Sequence, residues 1–108
     1  MLVLPIKKNW YDMILSGEKR EEYREIKSYY TSRFKGIGLL DNDGNEVSLK
    51  FVPIMFRNGY SEKSPSFVAF CWLSKGYGRV EWGAEKDKKY YRLHIAKIET
   101  RSDEWEQK

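Results

Sequence analysis

Residues Glu21 to Ile26, Glu-Glu-Tyr-Arg-Glu-Ile, read as a strand with no apolar face. Glu22, Arg24 and Ile26 share one side; Glu21, Tyr23 and Glu25 share the other. A strand in a small fold needs at least one greasy face. The chain has 108 residues, enough for one core and not two. Two explanations follow. The segment is an edge strand whose charges form a solvated ladder and discourage aggregation, or it lines a functional site, where local rules are broken. Lys19 follows the helix-ending Gly17, so it can project from a turn toward a cleft. Beside Glu22 and Arg24 it forms a cluster in which pKa values move readily. A desolvated lysine can act as a base, and an arginine recognises phosphate or a carbonyl-rich base edge with its fork.

Composition removes several classes. One cysteine, Cys71, excludes an intrachain disulfide and any Cys-rich zinc site. One histidine, His94, excludes two-His and three-His zinc motifs. No metal or cofactor is expected. No apolar run approaches roughly 18 residues, so no spanning helix is expected. Met1–Ile6 lacks a basic start and is too short for a signal peptide, which points to the cytoplasm. The net charge of +4 is mild and compatible with a phosphate-bearing partner. A solvated surface explains it equally well. Aromatics make up 16% of the chain, so a small core can still bury a large area.

Along the chain, a strand is expected at Leu2–Ile6, then a helix capped by Asn9, with Trp10, Met13 and Ile14 on one face. Gly17 supplies its left-handed stop. Ser28 is expected to cap a second helix carrying Tyr30 and Phe34, closed by Gly36 and Gly38. Asp41-Asn42-Asp43-Gly44 is a turn. Val47, Leu49 and Phe51 alternate with polar residues as in a half-buried strand. Pro53 marks a bulge or a sheet edge. Asn58-Gly59 opens a loop to Pro65. Phe67–Leu73 is apolar on both faces, as in a central strand covered on both sides. Tyr90–Ile98 forms the last long strand, and a polar tail follows. These elements give an α+β, mainly β, single domain over residues 1–100 with a tail over 101–108. The expected fold is a small β-barrel with two short helices packed on it.

Several apparent motifs fail. Gly76-x-Gly78 has Glu81 where the third glycine of a dinucleotide fingerprint belongs. Asp41-x-Asp43-Gly44 has its glycine too early for a calcium loop. His94, mid-strand among apolar residues, reads as a satisfied barrel histidine, and Cys71 as inert packing. Two clusters remain open. Arg57-Asn58-Gly59-Tyr60 is a turn or a ligand contact. In Glu81-Trp82-Gly83, Trp82 either plugs the barrel or stacks on a base.

The chain resembles the ASCH domains, a family with a PUA-like β-barrel. The resemblance rests on Leu4-Pro5-Ile6-Lys7-Lys8, on Trp10-Tyr11-Asp12-Met13-Ile14, and on the G-x-K-x-x-E-x-R signature as Gly17, Lys19, Glu22 and Arg24. Glu22–Lys27 with Tyr29 is similar to a bacterial and phage branch, and Glu81–Ala84 with Tyr90–Ile98 completes the match. The resemblance implies RNA or nucleotide binding in a cleft lined by the signature strand. Arg24, Tyr29, Arg57 and Trp82 are then ligand contacts. Some small relatives are amidohydrolases that deacetylate 4-acetylcytidine with a lysine, a threonine three residues later and a distant glutamate. Lys19 and Glu81 match the first and last; Glu22 stands at the threonine position. The expectation is therefore an RNA- or nucleotide-binding module, monomeric or weakly dimeric, with no membrane partner. Arg24→Ala should weaken binding more than stability, and turnover of 4-acetylcytidine should be weak or absent. The alternatives are a hydrolase of a modified nucleoside or RNA using Lys19, Glu22 and Glu81, and a protein-interaction module whose charged strand only builds an edge.

Overall fold

Alternation of apolar residues builds the sheet, and the sheet's order decides where the barrel stays open. The structure, a computed structural model, describes residues 1–101, with side chains for 1–99. Among these residues, β1 (Val3–Ile6), α1 (Lys8–Leu15), β2 (Glu21–Glu25), α2 (Ser28–Gly36), β3 (Val52–Asn58), β4 (Ser66–Tyr77) and β5 (Lys89–Arg101) follow in sequence. A 3₁₀ turn at Val80–Trp82 links β4 to β5. The five strands form one sheet in the order β1-β3-β4-β5-β2. Only β1 and β3 run parallel; the other pairs are antiparallel. The fold is α+β, a curled half-barrel with two helices.

The first two strands of the sequence thus occupy opposite edges of the sheet. Register shifts between β4 and β5 at Val68/Ala69 and Phe70/Cys71 add local bend to the two longest strands. The curl brings β2 back toward β1, close enough for Arg24 Nη2 to donate to the Pro5 carbonyl at 3.0 Å. No ladder joins the two edges, so a seam remains between them.

Inside the curl, Ile54 and Phe56 of β3, Phe67, Ala69 and Cys71 of β4, and Tyr91 and Leu93 of β5 are buried. Tyr11 and Ile14 of α1 and Phe34 of α2 complete this core. Phe34 meets Tyr91 edge-on at 5.2 Å, and Phe56 stacks on Phe67 at 5.2 Å. Cys71 is free and buried, which pushes its thiol up to about 12. That fits inert packing.

Several local expectations are corrected. The helices begin at Lys8 and Ser28, and neither Lys7 nor Lys27, their N-caps, makes a side-chain cap bond. Asn9 and Ser28 therefore do not cap. Val47–Phe51 forms no strand: Leu49 takes a left-handed φ of 57° in a turn and is 94% exposed. β4 is central but buried on one face only, because Val68, Phe70 and Trp72 face outward and both helices pack inside. β5 runs on to Arg101, past the expected Ile98, so its pairing with Phe67 takes up residues assigned to the tail. Residues 102–108 of that tail lie outside the described residues. Pro53 sits within β3, at a stretch that β1 does not reach, since β1 pairs only with Met55–Asn58. A residue without an N–H costs nothing on that locally free edge. The Asp41–Gly44 turn forms as expected, with Asp41 Oδ1 accepting from the Asp43 and Asn45 amides at 2.9 Å each. No helix is long and apolar enough to cross a membrane among the described residues.

Leu49 tests this reading directly. As a strand residue it would face the core, and Leu49→Gly would cost about 2–5 kcal/mol. In a left-handed turn a glycine relieves about 1 kcal/mol of backbone strain. Urea unfolding of Leu49→Gly is expected to show unchanged or slightly increased stability.

Candidate functional site

The charged strand β2 is held by a buried ion network. The α1 helix ends at Gly17, whose φ of 85° turns the chain, and the Lys19 amide then donates to the Met13 carbonyl at 3.0 Å. This wraps Lys19 back under the helix, where it is 1% exposed. Its ammonium donates to the Trp82 carbonyl and lies 3.0 Å from Glu22 Oε1. The rings of Trp10 and Tyr23 close over it, at 4.7 and 5.1 Å from Nζ to their centroids. Desolvation in this box pushes the Lys19 pKa below its usual value, against the opposing pull of Glu22.

Glu22 is buried as well and holds a cation on each oxygen. Oε2 lies 2.5 Å from Arg24 Nη1. The same guanidinium donates to the Tyr23 carbonyl at 2.8 Å and, across the seam, to the Pro5 carbonyl at 3.0 Å. Arg24 thus supplies side-chain donors where strand-to-strand bonds are missing. Pro5 has no N–H of its own to offer at this edge.

Trp82 and Gly83 bring the β4–β5 connection into the site. Gly83 has a φ of 103°, and a Cβ there would stand 3.0 Å from the Trp10 indole. A glycine is needed on both counts. Tyr23 adds a second anchor: its hydroxyl accepts from the Arg79 amide at 2.9 Å and donates to Glu21 at 2.8 Å. Burial raises the pKa of that hydroxyl.

Over the seam lies an open cleft of about 990 Å³. Glu22, Arg24, Tyr29 and Trp82 line it, so four of the residues singled out in the sequence meet there. Lys19 does not line the cleft; it lies behind Glu22 with its ammonium covered. Arg57 lies on the outer face of β3, between Pro5 and Ser66, and its Nε is buried without a partner. Its neighbours Asn58, Gly59 and Tyr60 reach the cleft instead. Glu81 is exposed and outside the lining; its segment contributes the Trp82 carbonyl, not a carboxylate. Sequence reasoning missed Trp10, Tyr30, Lys27 and Arg33, which all line the cleft. The helical spacing puts Trp10 on the core face of α1, and only its approach to Gly83 in three dimensions shows its place at the cleft. Arg33 lies flat on Tyr29 at 3.6 Å, an i,i+4 pair that the sequence does contain.

No family model, curated protein or solved structure matches this chain.

The hydrogen bonds of Arg24 correct one expectation. Its guanidinium is committed to Glu22 and to two carbonyls on opposite edges, so removing it leaves a buried carboxylate half-compensated and the seam unbridged. Arg24→Ala is expected to lower the unfolding free energy by about 3–5 kcal/mol, as for other broken buried pairs. A loss below about 1 kcal/mol in urea unfolding, the range of surface ion pairs, would contradict that.

Proposed function

We propose that the protein binds single-stranded RNA or its nucleotides in the cleft over the seam. The observation that carries this reading is the composition of the cleft wall. Tyr29, 52% exposed, and the half-buried Tyr30 line the cleft together with four exposed cations, Lys7, Lys8, Lys27 and Arg33. Every base has a π-face, so aromatic walls accept bases without regard to sequence. Cations at the rims meet phosphates, and they are exposed enough to do so after releasing counterions. A volume of about 990 Å³ lies at the upper end of the roughly 300–1,000 Å³ of small-molecule pockets. It suits a nucleotide with part of its neighbour better than a single small metabolite.

Binding is favoured over hydrolysis by the state of the two groups that chemistry would need. A base or a nucleophile must reach its substrate. Lys19 is enclosed by Trp10, Tyr23 and the Trp82 carbonyl, and both oxygens of Glu22 already hold cations. The floor of the cleft is spent on structure, and the side chains left exposed to a ligand are on its walls, where Tyr29 is 52% exposed and holds Arg33 against one face of its ring. Edge-to-edge protein docking is disfavoured for a related reason, since Pro5 and the Arg24 staple occupy the strand edges that an incoming strand would use.

Fluorescence titration with short single-stranded RNA tests this. Affinity should fall linearly with salt on logarithmic axes. Tyr29→Ala should weaken binding by about 1–3 kcal/mol, the value of one stacked base, with thermal stability unchanged. Lys27→Ala should reduce the salt slope by about 1. Absence of saturable binding at low salt would remove the reading.

A further inference from the structure

A second polar constellation sits on the outer face of the sheet, where β4, β5 and β2 lie side by side. None of its members lines the cleft. Ser74 Oγ is 2.7 Å from His94 Nε2. On the other side of the ring, His94 Nδ1 is 3.5 Å from Glu21 Oε2. Arg92 Nε donates to Ser74 Oγ at 3.0 Å. The register places these groups together: Ser74 pairs with Arg92, and His94 pairs with both Trp72 and Glu21.

The direction of the hydrogen bonds follows from the donor inventory. A guanidinium only donates, so Ser74 accepts from Arg92 and its own hydrogen is left for His94. A carboxylate facing Nδ1 favours the tautomer with the proton on that nitrogen. Nε2 is then the acceptor for the serine hydroxyl. The result is a hydroxyl hydrogen-bonded to an imidazole whose other nitrogen faces a carboxylate at 3.5 Å, the same order of groups that activates a serine nucleophile on unrelated folds.

Two further features hold it in place. Trp72 stacks on the His94 ring at 3.6 Å with 8° between the planes, which fixes the imidazole's tilt. Gly76 lets the Arg92 guanidinium lie against the backbone, since a Cβ there would be 2.6 Å from its central carbon. In a guanidinium fork, the Nε–H and one Nη2–H run parallel. The first holds Ser74 and Nη1 holds the Tyr77 carbonyl at 3.2 Å, so Nη2 remains beside the serine oxygen without a protein partner among the described residues. That is where the oxygen of an attacked carbonyl would gather negative charge.

We propose that Ser74 is the nucleophile of a second, ester-cleaving site, with His94 as its base, Glu21 as the carboxylate that orients the imidazole, and Arg92 as the donor to the oxyanion. The site is open rather than enclosed, so the substrate class is small, unhindered carboxylic esters whose apolar portion rests against Trp72, 40% exposed. Ser74 Oγ bonds to the carbonyl carbon while its proton passes to His94 Nε2. The carbon–oxygen bond to the alcohol breaks, and His94 returns the proton to the departing alcohol. Water then cleaves the acyl-serine by the same base, releasing the carboxylic acid and restoring the hydroxyl. The site lies outside the cleft, and the Tyr23 hydroxyl that holds Glu21 at 2.8 Å is its link to the cleft wall.

The test uses the full chain and a fluorophosphonate, which forms an Oγ–phosphorus bond with loss of fluoride. Intact mass and peptide mapping follow the adduct. The expected result is a single adduct on Ser74, formed at least about 100-fold faster than in the same chain unfolded in urea, the lower end of what a positioned base contributes. Ser74→Ala should take no label, and His94→Gln should label at the unfolded rate. With 4-nitrophenyl acetate, the acetyl group should be trapped on Ser74 in acid-quenched samples. No adduct on Ser74, a rate no greater than in the unfolded chain, or full labelling of folded His94→Gln overturns the proposal. The folded-against-unfolded comparison needs only the unaltered protein, so it decides the matter even if His94→Gln does not fold.

Discussion

Arg24 closes a barrel that its strands leave open. The sheet order sends β1 and β2 to opposite edges, and curling returns them to each other without a ladder between them. One guanidinium bridges the gap, bonded to Glu22, to the Tyr23 carbonyl on its own strand and to the Pro5 carbonyl on the other. Glu22 in turn is shared with Lys19, and Lys19 reaches the Trp82 carbonyl of the β4–β5 connection. Three separate stretches of chain, at Pro5, at Lys19–Arg24 and at Trp82, therefore meet on three charged side chains. Burying such charges is costly, and their attraction repays the cost only when every donor and acceptor is matched. Here the matching depends on the seam, so the network specifies one closure of the sheet rather than simply adding stability.

The same constraint accounts for the cleft. A fully closed barrel would bury both edges in hydrogen bonds and leave only a smooth wall. A seam stapled by one side chain leaves a trough above the staple, and α2 lines one lip with Tyr29, Tyr30 and Arg33. The charges that the sequence displays most loudly form the floor and are occupied. The more exposed side chains around it are aromatic and basic.

This division explains what could be read in advance. The helix stop at Gly17 and the strand at Glu21–Glu25 were legible, because left-handed glycine and the strand's place after it are local signals. The α+β half-barrel followed from two short helices and a majority of alternating segments. Val47, Leu49 and Phe51 misled, since alternation says nothing about whether a partner strand is in reach, and Leu49 instead turns the chain. Phe67–Leu73 misled in the other direction: apolar residues on both faces did not mean cover on both faces, and Trp72 remains 40% exposed beside His94. Arg24 and Glu81 were beyond local reasoning. Which acceptor an arginine meets, and whether a loop offers its carboxylate or its backbone carbonyl, depends on contacts between residues far apart in sequence.

The account's central claim is that Glu22 and Arg24 act as one unit in closing the seam. A double-mutant cycle measures that directly, with urea unfolding of Glu22→Gln, Arg24→Ala and the combined variant. The account predicts a coupling of about 1–3 kcal/mol, with the double variant far less destabilised than the sum of the singles, as for residues of one network. Additivity within about 0.5 kcal/mol, the behaviour of independent sites, would contradict it.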